Sequence, residues 1–84
     1  MNSANGHASI RVKVYGPLRA FVSSTDQQID VAKGLSVRQL VSDLGVPDDQ
    51  MVYTMCLINE RRVPLDSPIA DGDVLDVFQP VAGG

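Results

Sequence analysis

The stretch Ser36-Val37-Arg38-Gln39-Leu40-Val41-Ser42-Asp43-Leu44-Gly45-Val46-Pro47 decides how the rest of the chain must be arranged. Val37, Leu40, Val41 and Leu44 fall at i, i+3, i+4 and i+7, so a helical backbone gathers them into one apolar stripe and leaves Arg38, Gln39, Ser42 and Asp43 on the wet side. Ser36 and Gln39 have the S-x-x-Q spacing of a capping box, in which the serine oxygen accepts from an early backbone N–H and the glutamine side chain reaches back. Gly45 stands where a left-handed C-terminal cap needs no Cβ, and Pro47 forbids continuation soon after. The spacing predicts one helix from Ser36 to Leu44, whose stripe needs an apolar surface to lie on.

Strands on either side supply that surface. Ile10, Val12 and Val14 alternate with Arg11, Lys13 and Tyr15, the period of two that puts one face of a strand on a core. Gly16 and Pro17 end this strand, and Leu18 to Asp26 reads as a connection with a short turn of helix around Leu18 to Val22. Ile29 and Val31 alternate with Gln28 and Asp30 before a turn at Lys33 and Gly34, so the first two strands can form a hairpin. Beyond the helix, a polar stretch through Asp48, Asp49 and Gln50 leads to Met55-Cys56-Leu57-Ile58, read as a buried strand entering a turn at Asn59 and Glu60. A brief return strand is expected at Arg62 and Val63, then a turn at Asp71-Gly72-Asp73 and a final strand from Val74 to Gln79. The expected class is α+β: a mixed sheet of about four to five strands with one main helix packed on one face.

Eighty-four residues make a single domain, organised as a frayed leader over 1–8, a folded body over 9–79 and a tail over 80–84. His7 lies in that leader and is expected to be solvated. A chain this short buries only roughly 60% of its unfolded surface, which suits presenting a surface or a terminus better than walling off an active site. It is therefore not expected to be an enzyme. No apolar run approaches the ~20 residues that cross a bilayer, and Met1 to Ala8 lacks the basic start and apolar stretch of a signal peptide, so a cytoplasmic protein is expected. Ten acids against seven bases, without a basic block, argue against nucleic acid as partner. Cys56 is the sole cysteine, so neither an internal disulfide nor a cysteine-built metal cluster can form, and no metal site is expected. In an apolar strand that thiol reads as a small core hydrophobe rather than a persulfide carrier. Arg61 and Arg62 read as solvated turn residues.

No glycine-rich phosphate loop and no nucleophile–histidine arrangement is present. What remains is the end of the chain. The final strand delivers Pro80-Val81-Ala82-Gly83-Gly84 without a loop, Pro80 stiffens the exit, and Gly83 and Gly84 have no Cβ to obstruct a narrow channel. The α-carboxylate of Gly84 is then the one carboxylate able to travel into another protein's site. It becomes an acyl donor once its oxygen has attacked the α-phosphate of ATP. Strand alternation adds a surface beside this finger: with Leu75 and Val77 facing the helix and Asp76 solvated, Phe78 falls on the opposite, exposed face. Cys56 and Ile58 point inward by the same parity and Leu57 outward, which makes Leu57 and Phe78 a small apolar patch suited to a protein partner.

From Ile10 to Gly84 the chain resembles the MoaD/ThiS family of ubiquitin-like sulfur carriers. These include the small subunit of molybdopterin synthase and the sulfur carrier of thiamine biosynthesis. The resemblance rests on Val12-Lys13-Val14-Tyr15-Gly16-Pro17-Leu18-Arg19, the Ser36 to Leu44 helix, Ile58-Asn59, the Asp71-Gly72-Asp73 turn and Phe78-Gln79-Pro80-Val81-Ala82-Gly83-Gly84. It implies a β-grasp fold. It also implies that Gly84 is adenylated by an ATP-dependent activating enzyme, which uses ATP and Mg²⁺, and is converted to a thiocarboxylate by a sulfur donor protein. The carrier itself would bind no cofactor stably. Its further partner would be the large catalytic subunit of molybdopterin synthase or, in the thiamine pathway, the thiazole synthase. The opening through Arg19 and the long connection after it favour the molybdopterin subunit. The Ile58-to-Pro64 stretch is closer to thiamine carriers, and Gln79 departs from the Pro-Pro pair frequent in molybdopterin subunits. A modifier attached through Gly84 to lysines of other proteins, and a β-grasp binding module with an incidental tail, are the alternatives.

Overall fold

The computed structural model describes residues 6–80. The elements follow in the order β1 (His7–Val14), a 3₁₀ turn (Gly16–Phe21), β2 (Asp26–Ala32), α1 (Val37–Asp43), α2 (Asp48–Met51), β3 (Met55–Ile58), β4 (Arg61–Val63) and β5 (Val74–Phe78). The strands form one five-stranded sheet in the order β2-β1-β5-β3-β4, in which only the β1–β5 pair is parallel. This is the β-grasp, with the last strand in the middle of the sheet and the helix across one face.

Register follows from the alternating apolar residues. Ile10 pairs with Ile29, Val12 with Leu75, and Cys56 with both Val77 and Val63, so the apolar members of neighbouring strands share the helix side. Ile10, Val12, Leu75, Val77 and Cys56 are fully buried there, against Val37, Leu40 and Val41 of α1. A slip of one residue in any strand would turn this set to water, which is why the pattern specifies a single pairing.

The helix begins as its sequence requires, with one difference. The Ser36 hydroxyl accepts from the Gln39 N–H at 3.1 Å, a cap that contributes about 1 kcal/mol. The Gln39 side chain does not reach back; its Nε2 donates instead to Asp43 Oδ1 at 2.9 Å, one turn on. Only half of the capping box forms, because the i,i+4 partner offers a charged acceptor. At the other end Gly45 adopts φ +118°, and a Cβ there would collide with the carbonyl oxygen of Phe21. Gly45 is thus held by a close approach as well as by its backbone angle.

Four other expectations are corrected. β1 begins at His7 rather than after residue 8, and Ala8 is fully buried opposite Val31, so the strand includes the end of the expected leader; residues 1–5 lie outside the described residues. Alanine has too little apolar surface to register in the alternation, yet its parity with Ile10 places it on the core. The turn of helix after β1 starts at Gly16, whose φ of +64° redirects the chain, and it buries Leu18. The polar stretch at Asp48 contains the single turn α2, anchored by the buried Met51. Finally, β5 ends at Phe78, and the Gln79 amide turns away to donate to Gln50 Oε1 at 2.9 Å.

Two turns lock the end of the sheet opposite to Pro80. Asn59 and Glu60 take φ of +51° and +72°, the pair of left-handed residues that a two-residue hairpin between β3 and β4 requires. Asn59 also accepts from the Val74 N–H at 3.0 Å and donates to Asp73 Oδ1 at 3.1 Å, which ties the hairpin to the start of β5. In the Asp71-Gly72-Asp73 turn, Asp71 accepts from the Ser9 N–H at 2.7 Å.

Candidate functional site

The position of β5 sets the geometry of the chain's end. It is hydrogen-bonded on both sides, by β1 and by β3, so the segment leading into Pro80 is anchored by two ladders. The Tyr15 N–H extends the first ladder by donating to the Val77 carbonyl at 2.9 Å. Val81, Ala82, Gly83 and Gly84 lie outside the described residues; Pro80, the last described residue, is exposed.

Beside this exit, on the sheet face that the helix leaves open, Phe78 and Leu57 share one groove of about 570 Å³. Tyr15, Gly16, Pro17, Asp76, Gln79 and Pro80 complete its walls. The strand register explains the grouping. Leu57 stands opposite Asp76 and Met55 opposite Phe78, while the parallel β1–β5 pairing puts Lys13 opposite Asp76 and carries Tyr15 to the same end. Phe78 is half-buried, not fully exposed as the alternation predicts, because Tyr15 and Pro17 wall the groove around it. Leu57 is half-buried as well.

The groove contains a single carboxylate. Asp76 Oδ1 accepts from the Tyr15 hydroxyl at 3.1 Å. Partial desolvation, together with this hydrogen bond to a carboxylate, raises the Tyr15 phenol above its usual pKa, so it remains a neutral donor. Across the sheet, Arg11 holds Asp26 through two bonds of 2.9 Å, and that charge-assisted pairing lowers the Asp26 carboxyl below its ordinary range. Arg11 and Asp26 thereby neutralise each other on the polar half of the open face, and the apolar half borders Pro80.

Elsewhere the expected residues are placed as follows. Cys56 is fully buried, and desolvation pushes its thiol up to about 12, so it is neither accessible nor ionised at neutral pH. Arg61 and Arg62 are exposed, and Arg62 lines a second groove of about 450 Å³ with Met55, Val63 and Leu65. Among the described residues no group of three or more His, Cys, Asp or Glu side chains could hold a metal ion, and no helix is long and apolar enough to cross a membrane.

Sequence reasoning missed two groups of residues at the tail end. Tyr15 and Pro17 are groove walls, which only the parallel β1–β5 pairing reveals. Val52 and Tyr53 precede β3, which starts opposite Phe78, and they are 79% and 64% exposed, an apolar pair presented to solvent close to the exit. Their signal was two large apolar residues outside any periodic run.

With this geometry in view, the chain can be set beside known proteins. The profile of the ThiS family matches residues 12–84. Protein RnfH of Burkholderia mallei is 35% identical over 57 residues, covering 63% of this chain and 52% of its own length, so the chain spans about half of that curated relative. A Pyrococcus furiosus protein described as molybdopterin converting factor, subunit 1, superposes with a TM-score of 0.67 at 26% identity, over 88% of this chain and 99% of its own. The complex of subunits 1 and 2 of the molybdopterin-converting factor from Helicobacter pylori contains a chain that matches 90% of this one and 99% of itself, with a TM-score of 0.56 at 22% identity.

Proposed function

The chain belongs to the ThiS family of small ubiquitin-like carriers, and from that premise we propose that it carries sulfur on the carboxyl group of Gly84 for molybdopterin biosynthesis in the cytoplasm. The carboxylate oxygen attacks the α-phosphate of ATP in an activating enzyme, where Mg²⁺ assists, and pyrophosphate leaves. Sulfide supplied by a sulfur donor protein then attacks the acyl carbon and displaces AMP, and the product is a thiocarboxylate. That sulfur passes to a pterin precursor inside a large synthase subunit.

The observation that carries this reading is the junction of β5 with the tail. The strand that leads into Pro80 is the central one of the sheet, held on both sides, so a partner can grip the end of the chain without unravelling the body. Gly83 and Gly84 present no Cβ to a narrow channel. The groove formed by Tyr15, Leu57 and Phe78 lies where a partner that receives the tail would dock, and its half-buried aromatic is the kind of anchor that dominates interfaces. The resemblance to the Pyrococcus furiosus protein supports the molybdopterin pathway over the thiamine one.

The test is the intact mass of the chain after incubation with an activating enzyme, ATP, Mg²⁺ and a sulfur donor. Exchange of one oxygen for one sulfur is expected. Ladders of conjugates with other proteins would replace this reading by that of a protein modifier, and an unchanged mass would replace it by that of a binding module. Recovery of a thiazole synthase, instead of a molybdopterin synthase large subunit, as the copurifying partner would move the carrier to the thiamine pathway.

A further inference from the structure

The two edges of the sheet are unlike. β4 is three residues long and runs directly into Pro64, so it offers little backbone to a neighbour. β2 is seven residues long and contains no proline, glycine or lysine. Its pairing with β1 runs without a skipped residue from His7↔Ala32 to Lys13↔Asp26, so no bulge twists the edge away. β2 thus lacks the proline, lysine and bulge that commonly protect an edge strand, and its charges are confined to Asp26 and Asp30.

The hydrogen bonds of β1 determine which backbone groups of β2 are free. The Val14 N–H donates to the Thr25 carbonyl at 2.8 Å and the Lys33 N–H to the Gly6 carbonyl at 3.1 Å. Antiparallel alternation then turns Gln27, Ile29 and Val31 toward β1 and points the N–H and C=O groups of Asp26, Gln28, Asp30 and Ala32 outward. The Ser24 hydroxyl donates to the Asp26 carbonyl at 3.2 Å; among the described residues no strand lies against the others.

The strand is complementary to itself. A twofold axis through Ile29 sets Asp26 of one copy opposite Ala32 of the other and Gln28 opposite Asp30. Every outward residue then meets an outward residue, as a ladder requires, and the whole strand is used. No acid faces an acid. Moving the axis to Gln28 would put Asp26 opposite Asp30, and moving it to Asp30 would put that residue opposite itself, both repulsive arrangements. In the favoured register Gln28, whose Nε2 already gives one proton to Ser9 Oγ at 2.9 Å, has a second proton for Asp30 of the other copy. Ile29 and Val31, half-buried at the rim of the core, become covered on the helix side.

We propose that β2 pairs antiparallel with β2 of a second copy of this chain about Ile29, joining two sheets into one. β1 separates β2 from β5, so the groove and the tail exit stay open in such a dimer. The twofold axis sends the two β5 strands in opposite directions, so the two Pro80 residues lie at opposite ends.

Sedimentation velocity of the full chain, from about 10 µM to about 1 mM, tests the pairing. A monomer–dimer equilibrium is expected in that range. Gln28→Glu places a carboxylate opposite Asp30 of the other copy, whereas within one copy it faces Arg11 across the β1–β2 pair, so folding is retained. This variant should raise the dimer dissociation constant about tenfold, and Gln28→Glu combined with Asp30→Lys should restore it. Denaturation curves of the variants verify that the fold is intact. A monomer at every concentration, or a dimer indifferent to Gln28→Glu, would overturn the proposal.

Discussion

Replacing Phe78 by alanine separates the groove's role in docking from its role in folding. Phe78 lies on the open face, half-buried against groove walls and outside the closed core formed by Ile10, Leu40, Leu75 and Val77. Fully burying a side chain of this size is worth roughly 1.5–3 kcal/mol, and no sealed cavity remains after its removal because the groove is already open. The folding cost should therefore be about 1–1.5 kcal/mol, well below the 3–5 kcal/mol typical of a core phenylalanine. Docking of a partner over the groove would complete the burial and make the ring an anchor, so its loss should weaken binding by about 2 kcal/mol, or about 30-fold in Kd. Urea denaturation measures the first quantity, and titration calorimetry against the activating enzyme or the large synthase subunit measures the second. A folding loss above about 3 kcal/mol with partner affinity unchanged would refute the reasoning, since it would place Phe78 in the core and leave the groove without a role.

Other consequences are as direct. Glu60 occupies a left-handed conformation in the β3–β4 turn without being glycine, so Glu60→Gly should stabilise the fold by about 0.5–1 kcal/mol, seen as a higher Tm, without touching the distant tail. Gly45→Ala should cost about 2–3 kcal/mol, or about 10 °C or more in Tm, because the added Cβ meets the Phe21 carbonyl at a positive φ; a neutral result would mean that the 3₁₀ turn is not seated against α1. Burial pushes the Cys56 thiol from an ordinary value of 9.0 up to about 12 in the folded state. The folded state thus holds its proton longer, and this stability is complete below pH 9.0 and falls as pH rises toward about 12. Cys56→Ala should flatten that part of the pH–stability curve, and native Cys56 should resist thiol reagents at neutral pH until the chain is unfolded.

Much of this architecture is legible in the residues. The i, i+3, i+4, i+7 stripe of Val37, Leu40, Val41 and Leu44 and the alternation of Ile10, Val12 and Val14 each bury a large apolar set, so period alone identifies helix and strand. The same parity places Leu57 and Phe78 on one face. Features with little apolar surface behind them escape this reading. Ala8 adds almost nothing to a pattern, α2 has Met51 as its only buried residue, and whether the Gln39 side chain accepts from the Ser36 N–H or donates to Asp43 depends on where Asp43 projects. The groove was legible only in part, because Tyr15 and Pro17 join it through a pairing of β1 with β5 some sixty residues along the chain. The self-complementary edge of β2 was hidden for a related reason: it becomes visible only once the β1 hydrogen bonds show which backbone groups point outward.

The account turns on which atom carries the sulfur. Fragment mass analysis of the sulfurated chain, isolated after reaction with activating enzyme, ATP, Mg²⁺ and donor, addresses this directly. Sulfur retained on the C-terminal fragment at Gly84, and absent from the fragment containing Cys56, is the predicted result. Sulfur on Cys56, or full sulfur transfer by a chain lacking Gly83 and Gly84, would contradict it.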